Sequence, residues 1–304
     1  MEAANFAGVP KLRNVRFKDG WIYADPPDTA EESQWWKPIE AYYAGQRPYI
    51  ALARCESTSG AVARFLETYG AITEEGARIA PNQIRFRLSE FERERWLFAF
   101  AVELASRLKR PATLPALLLA RAEEAATNCL ERKPGWYPVI EEIRDALNFP
   151  QPKVRTNCFA EWLRRVKAHL PKMAEKALAE SAAFYLTGSI SRRLRNIKVR
   201  FECEADGNAR LSAQCFDNLL NSFYWMLAND LATRRAPSRC AYCGRFFFTQ
   251  KQNVHYCPTR PECKERGRRK RDWDKNKARY NRNRQRKREA ERKRRGKHAK
   301  AKKA

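Results

Sequence analysis

The chain has 304 residues, with 61 Lys and Arg against 35 Asp and Glu, a formal charge of +26. That length accommodates one or two globular domains plus a tail. At 43% hydrophobic and 12% aromatic it holds enough apolar mass for a sizeable core, which excludes a wholly disordered chain.

The charge is unevenly placed. Residues 238–304 carry 26 Lys and Arg and 6 Asp and Glu, a net of +20, which leaves +6 for residues 1–237. A balanced body followed by a cationic end points to a polyanionic partner, nucleic acid before an acidic membrane surface. The apolar runs at 96–102 and 114–120 fall far short of the ~18–20 residues of a membrane helix, so no membrane partner is expected. Met1-Glu2-Ala3-Ala4-Asn5-Phe6 lacks the basic and apolar regions of a secretory signal, and the expectation is a cytoplasmic protein.

In chain order, residues 11–24 predict a β-hairpin. Val15, Phe17, Trp21 and Tyr23 alternate with polar neighbours around the turn pair Asp19-Gly20. The Pro- and acid-rich stretch 25–37 reads as a loop ending near Trp35-Trp36. Ser57 to Ser59 offer N-caps for a helix carrying Val62, Phe65, Leu66 and Tyr69, which Gly70 ends. A longer helix is expected over 90–107, where Phe91, Arg95, Leu97, Phe98, Val102, Ala105 and Leu108 recur near the 3.6 period. Further helices are expected over 113–132, 137–148 and 157–186, broken by Pro134, Pro150 and Pro152 and interrupted at Pro171. Val199, Phe201 and Cys203 then alternate into a second hairpin through Asp206-Gly207-Asn208, returning over 209–213. Phe216, Leu219, Leu220, Phe223, Leu227 and Leu231 mark one face of a last helix. The fold class is mainly α with two short β-hairpins, an α+β body over 1–236. It shows no Gly-rich phosphate loop and no βαβ alternation. Trp35, Trp36 and the helix 216–231 read as core before they read as a partner surface.

Five of the nine cysteines, Cys55, Cys129, Cys158, Cys203 and Cys215, are scattered and read as small buried residues. The other four, Cys240, Cys243, Cys257 and Cys263, follow the spacing C-x2-C-x13-C-x5-C. Two residues between thiols let both sulfurs meet one ion on a tight turn, and Gly244 suits the open backbone of a knuckle. Four thiolates imply one closed, structural Zn2+ site. An iron–sulfur cluster fits the wide C-x5-C less well, and a redox C-x-x-C lacks its usual βαβ setting. Residues 245–249 read as a strand, 250–253 as its turn and 254–256 as the return. His255 is weighed as a substitute ligand and favoured as a strand residue beside the site. His169 and His298 are isolated.

Cys-x-x-Cys-Gly-Arg-x-Phe, a basic and polar turn, Tyr-Cys-x5-Cys and a Lys/Arg-rich helix together resemble the CGNR-type zinc finger that ends proteins of the ABATE family, bacterial stress-induced transcription regulators. The match covers about residues 239–280, and the body matches through Phe65 to Gly70. The chain departs from the naming motif: Lys264-Glu265-Arg266 follows the last cysteine, so Arg266 alone keeps the matching position. The resemblance implies a DNA-binding finger and an N-terminal domain that senses a small-molecule ligand. Knuckle, hairpin and a ligand pair leading into a helix also describe a treble-clef-like finger, with its helix starting near Cys263.

From Lys264 onward the chain is almost continuously charged, with Trp273 and Tyr280 interleaved. The candidate nucleic-acid contacts are Arg245, Lys264, Arg266, Arg268, Arg269, Lys270, Arg271, Lys275, Lys277 and Arg279. Each cation that neutralises a phosphate releases counterions, which gives sequence-independent, salt-sensitive affinity. The finger with its basic helix is assigned to 237–282 and a disordered basic tail to 283–304, where like charges repel.

The leading function is a zinc-dependent, DNA-binding transcriptional regulator, nucleoid-associated if the protein is bacterial. An RNA-binding or ribosome-associated zinc protein is the alternative, and a protein-interaction zinc module follows. An enzyme is not expected: the three histidines form no His/Asp/Asn cluster, and no open metal site or general base is visible. The Glu/Arg-rich stretch 90–95 reads as a solvated helix face.

Overall fold

The computed structural model describes residues 9–26, 35–36, 38–72, 77–80, 83–108, 111–131, 137–146, 159–195, 199–203, 209–213, 219–233, 235, 237–249, 254–258 and 260–301. The chain divides into two compact units, 1–237 and 238–304.

The first described element is the short β1 (Val9–Pro10), which pairs with β4 (Trp35–Trp36), so part of the expected 25–37 loop forms a strand; 27–34 and 37 lie outside the described residues. Strands β2 (Arg13–Lys18) and β3 (Trp21–Asp25) form the first hairpin. Its turn residues Asp19 and Gly20 both have positive φ, 51° and 77°, as a two-residue turn matched to strand twist requires.

The unit is mainly helical with small antiparallel sheets, as expected, but the first hairpin is not isolated. β5 (Ala77–Ala80) and β6 (Gln83–Arg87) extend it to an antiparallel sheet of order β2-β3-β6-β5. Ile84 and Phe86 alternate with Arg85 and Arg87, a period-2 signal. On one face Ile22, Ala24 and Phe86 are buried. On the other, the Arg85 guanidinium lies 3.7 Å from the centre of the Trp21 ring, a cation–π contact between half-buried side chains. The second expected hairpin forms from β7 (Val199–Cys203) and β8 (Ala209–Ala213), in register Phe201 to Leu211; its turn, 204–208, lies outside the described residues.

The helices are α1 (Pro38–Tyr43), α2 (Tyr49–Arg54), α3 (Ser59–Tyr69), α4 (Leu88–Leu108), α5 (Leu114–Leu130), α6 (Tyr137–Ala146), α7 (Phe159–His169), α8 (Glu175–Leu194) and α9 (Leu219–Ala232). α3 starts where Thr58 Oγ1 accepts from the Ala61 amide at 3.3 Å, and its last turn closes when the Gly70 amide donates to Leu66 O. The interruption expected at Pro171 is a 3-10 turn over Leu170–Lys172 between α7 and α8.

Helix α4 is central. Phe91 and every residue from 96 to 102 are buried, so it is apolar nearly all round, as a helix surrounded by others must be. It packs against α2, α5, α8 and α9. Phe98 meets Tyr49, Phe223 and Tyr224 edge-on or tilted, and Phe100 meets Tyr185. The apolar helix α9 lies in this core, with Leu219, Leu220, Phe223, Met226 and Leu227 fully buried, and so offers no free partner surface.

Among the described residues of the unit two acids are buried, and both are compensated. Asp230 of α9 is fully buried; it accepts from Tyr42 Oη at 2.8 Å, Tyr49 Oη at 2.7 Å and Arg47 Nε at 2.8 Å. Asn229 Nδ2 donates to the Tyr42 hydroxyl, and the Arg47 guanidinium lies over the Tyr42 ring. Glu94 of α4 pairs with Arg93 and with Arg193 of α8, whose guanidinium sits over Tyr224. Such pairing is what permits a charge in an apolar interior. Arg95, expected in the core stripe of α4, instead donates to Cys55 O and Ser57 Oγ.

Candidate metal centre

The second unit is built on a small two-stranded sheet, β9 (Pro237–Arg239) with β10 (Phe246–Phe248), and on α10 (Pro261–Ala301). The turn between the strands carries Cys240 and Cys243. Gly244 follows with φ 69°, the left-handed conformation that glycine adopts without a Cβ clash. The turn is closed by backbone bonds from the Gly244 amide to Cys240 O and from the Cys240 amide to Arg245 O, and Arg239 Nε donates to Gly244 O. The returning chain is tied in where the Ala241 amide donates to His255 O. Cys257 lies just beyond, and Cys263 sits in the first turn of α10. The turn 250–253 lies outside the described residues.

These elements bring the four sulfurs of Cys240, Cys243, Cys257 and Cys263 within 4.8 Å of one another. Cys243 Sγ and Cys257 Sγ are 3.5 Å apart. Four sulfurs at ~2.3 Å from one ion would stand ~3.8 Å apart, so the cluster has the dimensions of a tetrahedral thiolate site. Cys240, Cys257 and Cys263 are buried with Phe247, and Val254 and Tyr256 pack against them. The four cysteines could hold one metal ion. His255 is not in this group: its carbonyl ties the loop instead.

The sulfurs differ electrostatically. Burial works against a Cys240 thiolate, but backbone amides of Cys243, Tyr242 and Cys257 directed at its sulfur outweigh burial and bring it down to about 6. The Cys257 thiol is pushed up to about 12 by burial and by the sulfurs of Cys243 and Cys240, and Cys263 is raised by burial and by Cys243. Packing four sulfurs together therefore leaves one readily ionised and others that resist ionisation until a cation offsets their mutual repulsion.

Of the expected nucleic-acid contacts, Arg245 is exposed before β10, and Lys264, Arg266, Arg268, Arg269, Lys270, Arg271, Lys275, Lys277 and Arg279 are exposed on α10. Successive residues turn ~100° about a helix, so these cations surround α10 rather than forming one face. Arg269 pairs with Glu265 one turn earlier, and the Arg271 guanidinium lies 5.6 Å from the centre of the Tyr256 ring. Helix α10 continues through 283–301, where repulsion predicts disorder; this differs from the expected tail. Those residues are mostly Arg, Lys, Glu, Gln and Ala, which lose little on entering a helix. Sequence reasoning missed the burial of Gly267 under Tyr256 and the stacking of Trp273 on Tyr280. The seven-residue spacing of the latter pair was the available signal.

Among the described residues no helix is long and apolar enough to cross a membrane. No family model, no curated protein and no solved structure matches the chain.

Proposed function

We propose that the chain is a zinc-dependent nucleic-acid-binding protein, and that residues 238–304 are its binding module. The observation that carries this reading is the placement of four clustered thiols at the root of a helix whose exposed cations begin one residue after the last of them. Zn2+ is the ion a buried all-thiolate set suits best. Bound there, it would hold the knuckle turn, the returning segment 254–257, which is not a strand as expected, and the first turn of α10 as one treble-clef-like finger, supplying stability that so small a segment lacks. The finger orients α10, and the cations of α10 engage phosphates.

The resemblance to CGNR-type fingers favours duplex DNA and transcription regulation in a bacterial cytoplasm, with the body sensing a small molecule. Full-length protein should then enrich one motif from a random DNA pool. An RNA-binding role is the second reading, favoured by one observation, the exposed aromatic pair on α10. Competition between duplex DNA and structured RNA at matched salt separates the two. In either case affinity should fall steeply with salt and require the metal. Chelation that left both the affinity and the circular dichroism of the finger unchanged would end the zinc reading.

A further inference from the structure

Trp273 and Tyr280 are the only Trp, Tyr or Phe residues of α10. Seven positions apart, they stand two turns along one helix face. Their rings are stacked, with centroids 5.2 Å apart and planes inclined by 14°. Even so, the side chains remain 49% and 47% exposed. Stacking covers one face of each ring, and about half of each remains in water. One turn before, between and after the pair, the same side of the helix carries Arg269, Lys270, Asn276, Lys277, Asn283 and Arg284. Of these, Arg269 pairs with Glu265, and Asn276 Nδ2 donates to Asp272 O.

Charge and pattern decide what would cover the rings. A second copy of α10 would bring two cationic helices together, and the flanking seven-residue positions are charged or amide rather than apolar, so no coiled-coil seam exists. A polyanion that also presents flat apolar faces satisfies both features. Duplex nucleic acid supplies the charge but keeps its bases stacked on each other inside. A single strand supplies phosphates and free base faces together.

We infer that Trp273 and Tyr280 form a stacking platform for unpaired bases of single-stranded nucleic acid, with the flanking cations holding its phosphates. The inference rests on the nucleic-acid-binding reading and adds the class of target. Stacking one ring on the other fixes both side chains before binding, so less rotamer freedom is lost when a base arrives.

The test uses full-length, zinc-loaded protein and labelled oligonucleotides of one length at one salt concentration. The probes are a thymine deoxy strand, a uracil ribo strand, an abasic deoxy strand of equal charge, and a blunt duplex. Base stacking should make the thymine or uracil strand bind about tenfold more tightly than the abasic one. Comparison of the thymine and uracil strands shows which sugar is preferred. Trp273→Ala with Tyr280→Ala should abolish that preference while duplex and abasic affinities stay within about twofold, since the phosphate contacts remain. Trp273→Phe with Tyr280→Phe should keep the preference, and circular dichroism reports that α10 persists in both variants. Equal binding of thymine and abasic strands by the native protein, or a preference that survives the double alanine change, overturns the platform. Duplex and abasic binding in that case still leaves the broader reading standing, whereas binding to none of the four overturns both.

Discussion

Gly267 and Tyr256 interlock: the space a side chain would occupy on Gly267 is filled by the Tyr256 ring. A Cβ placed on the glycine would lie 2.2 Å from Cε1, 2.8 Å from Cζ and 2.9 Å from the hydroxyl oxygen. Tyr256 immediately precedes Cys257, and Gly267 lies one turn after Cys263. The contact therefore fastens the loop bearing the third cysteine to the helix bearing the fourth. Arg271, one further turn along, closes over the same ring.

Gly267→Ala should test this lock through its sign. In an ordinary helix interior the change stabilises by ~0.5–1 kcal/mol. Here the ring must swing out, at a cost of about 1–3 kcal/mol, so thermal unfolding of the finger should move to lower temperature. In a Tyr256→Ala background the obstacle is gone, and the same alanine should become stabilising. An alanine that stabilises in both backgrounds would show that the ring is no obstacle.

Metal content should follow the cluster and nothing else. On the zinc reading, wild-type protein purified without chelator should hold one zinc ion per chain, since one group of four thiols is found among the described residues. Cys240→Ser, Cys243→Ser, Cys257→Ser or Cys263→Ser should each lose it and unfold the finger while the body stays folded. Cys55 and Cys129 lie outside the cluster, so Cys55→Ala and Cys129→Ala should keep full occupancy. Retention in the first set, or loss in the second, by elemental analysis would refute the assignment of ligands.

The Asp230 network should dominate the stability of the body. Removing the carboxylate takes away the buried acceptor that Arg47 and two tyrosine hydroxyls share, so Asp230→Ala should cost about 3–5 kcal/mol in urea unfolding. Tyr49→Phe removes one partner and should cost about 1–3 kcal/mol. Neither change should alter the zinc content.

The same network sets a limit at high pH. Burial raises the Tyr42 and Tyr49 hydroxyls well above the ordinary tyrosine range, with Asp230 pushing in the same direction. Below about pH 10 both are protonated in the folded and the unfolded chain and add no pH dependence. Above it the unfolded chain releases those protons first, so stability falls as pH rises from the unfolded towards the folded value. Unfolding in base should bring buried tyrosinate absorbance with it, and Tyr49→Phe should flatten the fall. Ionisation of these tyrosines in a chain whose circular dichroism is still native would contradict the prediction.

Local chemistry made much of this legible in the sequence. Thr58 and Gly70 bound α3, Asp19-Gly20 makes its turn, and the cysteine spacing locates the cluster, because each depends on residues a few positions apart. The four-stranded sheet was missed although Ile84 and Phe86 alternate, since pairing of β6 with β3 joins segments about 60 residues apart. Asp230 gave no signal at all. An acid near the end of an apolar helix reads as solvated until Tyr42, 188 positions away, is known to donate to it. The Trp273–Tyr280 spacing was visible, but the stacking was not, because two aromatic residues on one helix face can also diverge.

Forty-one residues of unbroken helix give α10 a contour of about 60 Å. If α10 engages nucleic acid as proposed, then laid along one strand of a duplex, whose phosphates repeat every ~3.4 Å, it would span roughly 18 of them. The helix would then act as a ruler, bounding the run of phosphates that its own cations can reach.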